Sequence, residues 1–390
     1  MRERKMTMPF LLPAAATRKN TLRLFSGKNI SFAALLACVF WAFARGFYLP
    51  SAWTLNYYLI NPFDGFYRRA LLGAFLYPFG DLRLHYWFVA SIQMIVSAIL
   101  LFVVLRKIYH IKKGWEFIYL YLCAFFLSNY GAFFFGITGH PEFVIYLVTL
   151  CAFQVKNGTL RALMMACSVW IHEMAVFTAL PLYFAIEYLY FHRRKAAFGA
   201  VALCFASFCA IYLFFQTVDN ETIIAYKQFI SASDYNIRFQ YLKVFQNDFL
   251  GERLKWQTYY GDYPMFRKSW CIELCFLLAI MGTIHFFHIS CSKYIESSIA
   301  FFGALSPLVM GFFAWDTNRW IFLSLINLSA IFLPSMTLVR SKFRFLLLIV
   351  ALAGFCTTGV YLFDDRTYRT IMQSIDFLQN FNIYVSILPI

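Results

Sequence analysis

The sequence predicts an all-α, polytopic integral membrane protein with about 10 to 11 transmembrane helices, a broken central hairpin and short interfacial helices. Three observations predict it. Of 390 residues, 61% are hydrophobic and 21% aromatic, and only 14% are charged. Apolar runs of ~20 residues recur, about the length that crosses ~30 Å of hydrocarbon. The charges between the runs alternate in bias, placing 20 Lys/Arg with four acids on one side and 14 Lys/Arg with 15 acids on the other. The net charge of +15 is thus an asymmetry across a membrane, and a nucleic-acid partner is not expected. All ten cysteines fall in or at the ends of predicted spans, which gives no sign of a disulfide framework. Cys271 and Cys275 share a helix face, where packing is a simpler reading than metal binding.

Residues 1–29 form a basic N-terminus, with Arg2, Arg4, Lys5, Arg18, Lys19, Arg23 and Lys28, which the positive-inside rule places in the cytoplasm. The apolar piece Met8–Ala16 is too short to span and lacks a convincing cleavage context, so no removed signal peptide is expected. Transmembrane helices are expected over 30–216. The first, Ile30–Leu49, carries Arg45 near its far end, and an aromatic-rich first outer loop covers 50–83. Within it, Ala70–Phe79 is too short to cross and is placed along the outer interface. Leu84–Leu105 leads to the inner cluster Arg106, Lys107, Lys112 and Lys113. Trp115–Phe135 is a third span, and Phe143–Val155 a short fourth that reaches across only if it begins near His140.

The central stretch Leu160–Tyr190 is apolar apart from the adjacent His172 and Glu173, and basic residues flank it at both ends. One continuous helix would carry Arg193, Arg194 and Lys195 outside. A hairpin keeps both flanks inside, but its first arm of about 12 residues, roughly 18 Å of helix, cannot cross alone. A broken or re-entrant hairpin then holds His172 and Glu173 below the outer surface, where non-helical backbone must be buried in protein or line a wet cavity. Ala197–Gln216 follows, then an extracytoplasmic loop or subdomain at 217–269. Transmembrane helices resume over 270–363, as Trp270–Ile289, Ile295–Phe313, Ile321–Val339 and Phe345–Phe363, and the tail 364–390 lies outside. The whole is one membrane domain.

In this topology the unusual polar groups gather on the outer side. Asp64 and Arg68, spaced i,i+4, form a local salt bridge if helical. Otherwise Arg68 and Arg69 hold a phosphate or diphosphate, whose oxygens match guanidinium forks, and Asp64 is free to act as a base. Lipid headgroups are a third reading for the two arginines. His140-Pro141-Glu142 reads as a helix start. His172 and Glu173 are not a zinc-protease motif, because Val176 stands where H-E-x-x-H needs its second His. Asp316 and Arg319 either cap the following span as an i,i+3 pair or add a second anion ligand. Ionisable groups at membrane depth are costly enough that a functional role is their default reading. There is no Gly-rich phosphate loop, nucleophilic serine motif or metal-ligand cluster, and no cofactor or metal is expected.

Tyr67-Arg68-Arg69-Ala70-Leu71-Leu72-Gly73, the in-membrane His172-Glu173, and Trp315-Asp316-Thr317-Asn318-Arg319-Trp320 resemble short motifs of polytopic bacterial proteins from envelope polysaccharide clusters. Those are polymerase-like proteins of the Wzy/EpsG kind and related GT-C-type glycosyltransferases. The resemblance implies a GT-C-like fold in the bacterial inner membrane and a polyprenyl-diphosphate-linked sugar donor used on the outer face, alongside membrane lipids and other polysaccharide-assembly proteins. The acidic pair typical of the GT-C first outer loop is reduced here to Asp64 alone. On this reading Arg68, Arg69 and Arg319, with Asp316, His140 and Glu142, bind the (di)phosphate. Asp64, His172 or Glu173 removes the acceptor proton, and Trp53, Tyr57, Tyr58 and Tyr67 line the sugar path. The alternatives are a transporter or flippase of a lipid-linked glycan, and an envelope-glycan acyltransferase, which would need a catalytic His in a cytoplasm-accessible tunnel.

Overall fold

A computed structural model of the protein describes residues 27–50, 52–63, 67–215, 217–218, 220–224, 294–312 and 317–336. The expected spans at 270–289 and 345–363, nearly all of the 217–269 loop and the tail 364–390 lie outside the described residues, as do Asp64 and Asp316. The regular structure among the described residues is helical. In chain order the helices are α1 (Gly27–Gly46), α2 (Ala52–Leu59), α3 (Leu71–Leu76), α4 (Tyr86–Tyr109), α5 (Trp115–Leu127), α6 (Asn129–Gly136), α7 (Pro141–Gln154), α8 (Gly158–Ile171), α9 (Ala179–Leu189), α10 (Arg194–Phe214), α11 (Tyr294–Leu305) and α12 (Thr317–Met336). Short 3-10 turns follow α3, α8 and α11.

Among the described residues three helices, α1, α4 and α10, are long and apolar enough to cross a membrane, and α5 with α6 makes a fourth if the bent pair is one span. Each of the three buries only part of its surface against the bundle. They turn Phe40, Ile95, Phe102, Phe198 and Phe205 outward, among other large apolar side chains. Water would oppose such faces at roughly 25 cal/mol per Å², whereas hydrocarbon would not.

Two local results differ from the sequence expectation. The predicted span Trp115–Phe135 bends by 70° between α5 and α6. Ser128 makes the corner: its backbone is extended, its Oγ accepts from Tyr130 N, and it starts α6 as an N-cap. The break frees carbonyls in the last turn of α5, and Arg45 of α1 answers by donating to Leu127 O at 2.6 Å and to Asn129 Oδ1 at 2.8 Å. α6 lies so close to α1 that a Cβ on Gly46 would overlap the Ala132 carbonyl. The second difference is α2. The stretch read as part of an outer loop is a helix whose residues from Thr54 to Leu59 are all buried. Gly73 at the start of α3 lets the chain pass against the Ile60 carbonyl behind it.

The central stretch is two helices joined by a break. Asn157 caps α8 by accepting from the Thr159 and Leu160 amides. α8 stops at Ile171 because His172 is extended, at φ −160° and ψ 128°, and the single turn Glu173–Val176 leads to α9. Arg161 at the start of α8 and Arg193 just beyond α9 both approach Glu187, at 3.8 and 3.7 Å, so the chain returns to the side it left. The same end of the bundle holds Lys28, which donates to Ile111 O, and Lys107, which donates to Gln154 Oε1. α10 packs along α8 and α9, while α11 and α12 pack on α9. Asn327 of α12 joins these layers. It accepts from Tyr146 Oη at 2.8 Å and donates to the carbonyls of Thr178 and Gly303 at 2.9 and 3.0 Å. The Thr178 carbonyl lies where the chain re-enters helix, so this bond ties α12 to the start of α9.

Candidate polar site at the hairpin break

The bundle end opposite Glu187 brings together side chains from five separated segments. Arg69 comes from the turn after Tyr67 and occupies the left-handed region at φ 62°. A non-glycine residue there costs about 1–3 kcal/mol and needs surroundings that fix it. Glu173 supplies the anchor. Arg69 Nε donates to Glu173 Oε1 at 2.7 Å and Nη2 reaches the same oxygen, with the arginine side chain 11% exposed and the carboxylate 2%. Glu173 is in place because the hairpin breaks immediately before it. His172 is close behind: its Nδ1 stands 3.3 Å from the Met174 amide and 3.3 Å from Glu173 Oε2. One nitrogen cannot serve both. Accepting the amide proton leaves Nδ1 without its own hydrogen and puts the imidazole proton on Nε2.

A second buried ion pair lies alongside. Arg319, in the first turn of α12, donates through Nε and Nη2 to Glu142 Oε1. Glu142 is held there by the predicted helix start, with His140 as N-cap and Pro141 opening α7. Met174 ties the pairs together, because Arg319 Nη2 also contacts its sulfur at 3.8 Å while Glu173 precedes it in the chain. Tyr57 of α2 is buried within electrostatic reach of all four charges, Arg69, Glu173, Arg319 and Glu142, and its ring lies 5.5 Å from that of His172. Charges this deep in protein are tolerated because each is matched by an opposite one.

Arg68 points elsewhere. Its guanidinium lies 4.3 Å over the Tyr212 ring and its Nε donates to Phe215 O at 3.2 Å, at the end of α10. Its two Nη atoms make no hydrogen bond among the described residues. Tyr67 beside it bonds through its hydroxyl to Thr222 Oγ1 at 2.6 Å.

The structure therefore brings Arg69, His140, Glu142, His172, Glu173 and Arg319 into one cluster and leaves Arg68 on its rim. Asp64 and Asp316 lie outside the described residues, as does the side chain of Trp53. Two distant ion pairs form: Arg69 with Glu173 and Arg319 with Glu142, 104 and 177 residues apart. The sequence reading placed Tyr57 only on a sugar path. Here it stands between the two ion pairs. It passed over Glu187 apart from its count as an inner acid. Among the described residues no three of His, Cys, Asp and Glu converge as metal ligands. Comparison of the chain with family models, with curated proteins and with solved structures finds no match.

Proposed function

We propose that the protein is a multi-pass glycosyltransferase or polysaccharide polymerase of the bacterial inner membrane, GT-C-like in architecture, acting on a polyprenyl-(di)phosphate-linked sugar at the extracytoplasmic face. One observation carries the reading. Two buried arginine–glutamate pairs, a histidine and a tyrosine converge at the bundle end opposite the basic clusters. By the positive-inside rule the basic end faces the cytoplasm, which turns the polar cluster outward.

The chemistry follows from what each group still has to give. Arg68 has its Nη nitrogens uncommitted among the described residues, and Arg69 donates to Glu173 only through Nε and Nη2. Both therefore have N–H groups for phosphate oxygens, where they would offset the charge that develops as the phosphate leaves. Glu173 orients Arg69 through Oε1 and keeps Oε2 for a second donor, the acceptor hydroxyl, whose proton it would remove. Asp64, four residues before Arg68 in the sequence, is the other candidate base, and His172 caps the turn that begins at Glu173. Tyr57 and Tyr67 would border the sugar.

A transporter or flippase is the second reading, favoured by the helix break at His172, a feature that transporters also use at their substrate sites. Asp64→Asn and Glu173→Gln separate the two. In the transferase, lipid-linked units reach the outer leaflet and are not extended. If the units pile up on the inner leaflet, the transporter reading wins. Orientation is checked by a reporter fused at residue 192, which should read cytoplasmic, whereas a periplasmic readout would sink the proposed topology.

A further inference from the structure

The chain between Arg69 and α4 carries an exposed apolar ledge. Phe75 of α3, and Phe79 and Leu82 of the 3-10 segment Tyr77–Leu84, are 64%, 48% and 52% exposed, with Tyr77 exposed beside them. We propose that this ledge is a docking surface for the lipids of the outer leaflet and that it holds Arg69 at the depth of their phosphates. The assignment rests on the transferase reading only for the use of that depth, because a lipid-linked sugar carries its (di)phosphate at the same level.

α4 fixes the level of the ledge. From Arg106 back to Tyr86 is 20 residues of helix, about 30 Å, which matches a hydrocarbon core of ~30 Å. With Arg106 at the inner boundary, the outer boundary falls at Tyr86 and Trp87, residue types that favour that position. The ledge ends there: Leu84 closes the 3-10 segment and His85 is the N-cap of α4. α3 packs on the 3-10 segment and begins two residues after Arg69, so the ledge and the arginine share a level.

Lipid is the occupant because the apolar surface is continuous with the side of α4. The Phe79 ring lies 5.2 Å from that of Phe88. Outward-facing Trp87, Ile95 and Ile99 carry the surface down a helix that is long and apolar enough to cross a membrane. Whatever covers that side of α4 also reaches the ledge. Polar members of the ledge limit its depth. Asp81 is exposed between Phe79 and Leu82, and the Arg83 guanidinium lies 5.1 Å over the Tyr77 ring. A carboxylate is costly in hydrocarbon, so the aromatic and aliphatic side chains dip toward the acyl chains while Asp81 stays among the headgroups.

The test uses full-length protein in nanodiscs with 4-trifluoromethyl-phenylalanine in place of Phe79, Phe75 or Ile95, one site at a time. Fluorine line broadening is read with a lipid carrying a doxyl group near its headgroup, a lipid carrying it at the tail end, and a gadolinium chelate in the water. At Phe79 the near-headgroup lipid should broaden the line about threefold or more beyond either other agent, whereas at Ile95 the tail-end lipid should dominate. In the Phe79→Ser, Leu82→Ser double variant, the near-headgroup effect at Phe75 should fall by about threefold or more. Phe79→Ser alone serves if the double variant does not elute as a folded monodisperse species. Strongest broadening at Phe79 by gadolinium, or none by either lipid, would overturn the docking surface. Unchanged broadening at Phe75 in the folded variant would overturn the hold on depth. Neither readout needs turnover, so lipid contact at the expected depth in protein that transfers no sugar counts against the transferase alone.

Discussion

The two ends of the central hairpin both bury an arginine–glutamate grouping, and they are built differently. At the break, Glu173 and Glu142 each accept direct hydrogen bonds from one arginine, and the partners come from segments far apart in the chain. At the base, Glu187 is fully buried between Arg161 and Arg193, yet neither of its oxygens makes a hydrogen bond, and both arginines stand beyond hydrogen-bonding distance. Tyr183, close by, also leaves its hydroxyl unpartnered. The base is local: its three charges come from the hairpin and its immediate flank, and they hold the chain's exit beside its entry. The break is not local. It gathers Tyr57, Arg69, Glu142, His172, Glu173 and Arg319, a convergence that a hinge alone does not require. The difference separates a clamp from a candidate site.

The largest effect expected is on activity. Glu173→Gln removes the proposed base and the anion that fixes Arg69, and should lower transfer by about 10²–10⁴-fold. Glu187→Gln, measured in the same assay per mole of folded protein, should stay within about twofold, because removing the clamp does not touch the proposed reacting groups. Comparable losses in both variants would erase the distinction between the two ends. Stability should show the reverse order of roles. Glu187→Gln strands two arginines against each other and should cost about 3 kcal/mol or more in a reversible unfolding measurement.

Smaller effects sharpen the picture of the break. Asn327→Leu deletes three interhelical hydrogen bonds around Thr178, and in a membrane setting that should cost about 1–2 kcal/mol. His172→Ala should cost about 1 kcal/mol by removing the cap on the Met174 amide, and His172→Asn should restore most of it. If the asparagine variant is no more stable than the alanine one, the Nδ1 cap is not what the histidine contributes.

How far the sequence foretold this depends on whether the signal was local. The hairpin was legible because charge bias and run length act along the chain: basic flanks on both sides of Leu160–Tyr190 and a first arm too short to cross force a return. The helix start at His140-Pro141 was legible for the same reason. The partners of the arginines were not. Arg69 and Arg319 take Glu173 and Glu142 from across the bundle, which no spacing rule encodes, while the acids that helical spacing offers, Asp64 and Asp316, lie outside the described residues. The helix α2 was hidden because Asn56, Tyr57 and Tyr58 give it the composition of an interfacial loop, although packing buries all three. The bend at Ser128 left a faint trace, a Ser-Asn pair inside a phenylalanine-rich run, which reads as an N-cap once a break is suspected. Glu187 was overlooked because a single acid in an apolar run, with arginines 26 residues before and six after, shows its meaning only when the hairpin is folded.

The most direct test of the central claim is a single-turnover transfer assay on purified protein in proteoliposomes, with a polyprenyl-diphosphate-linked sugar supplied to the leaflet that the polar cluster faces. Wild type and Glu187→Gln should release polyprenyl diphosphate and extend the acceptor, while Glu173→Gln and Arg69→Ala, shown to be folded by their melting transitions, should do neither. Normal release and extension by folded Glu173→Gln and Arg69→Ala would contradict the claim that the cluster at the hairpin break is where transfer occurs.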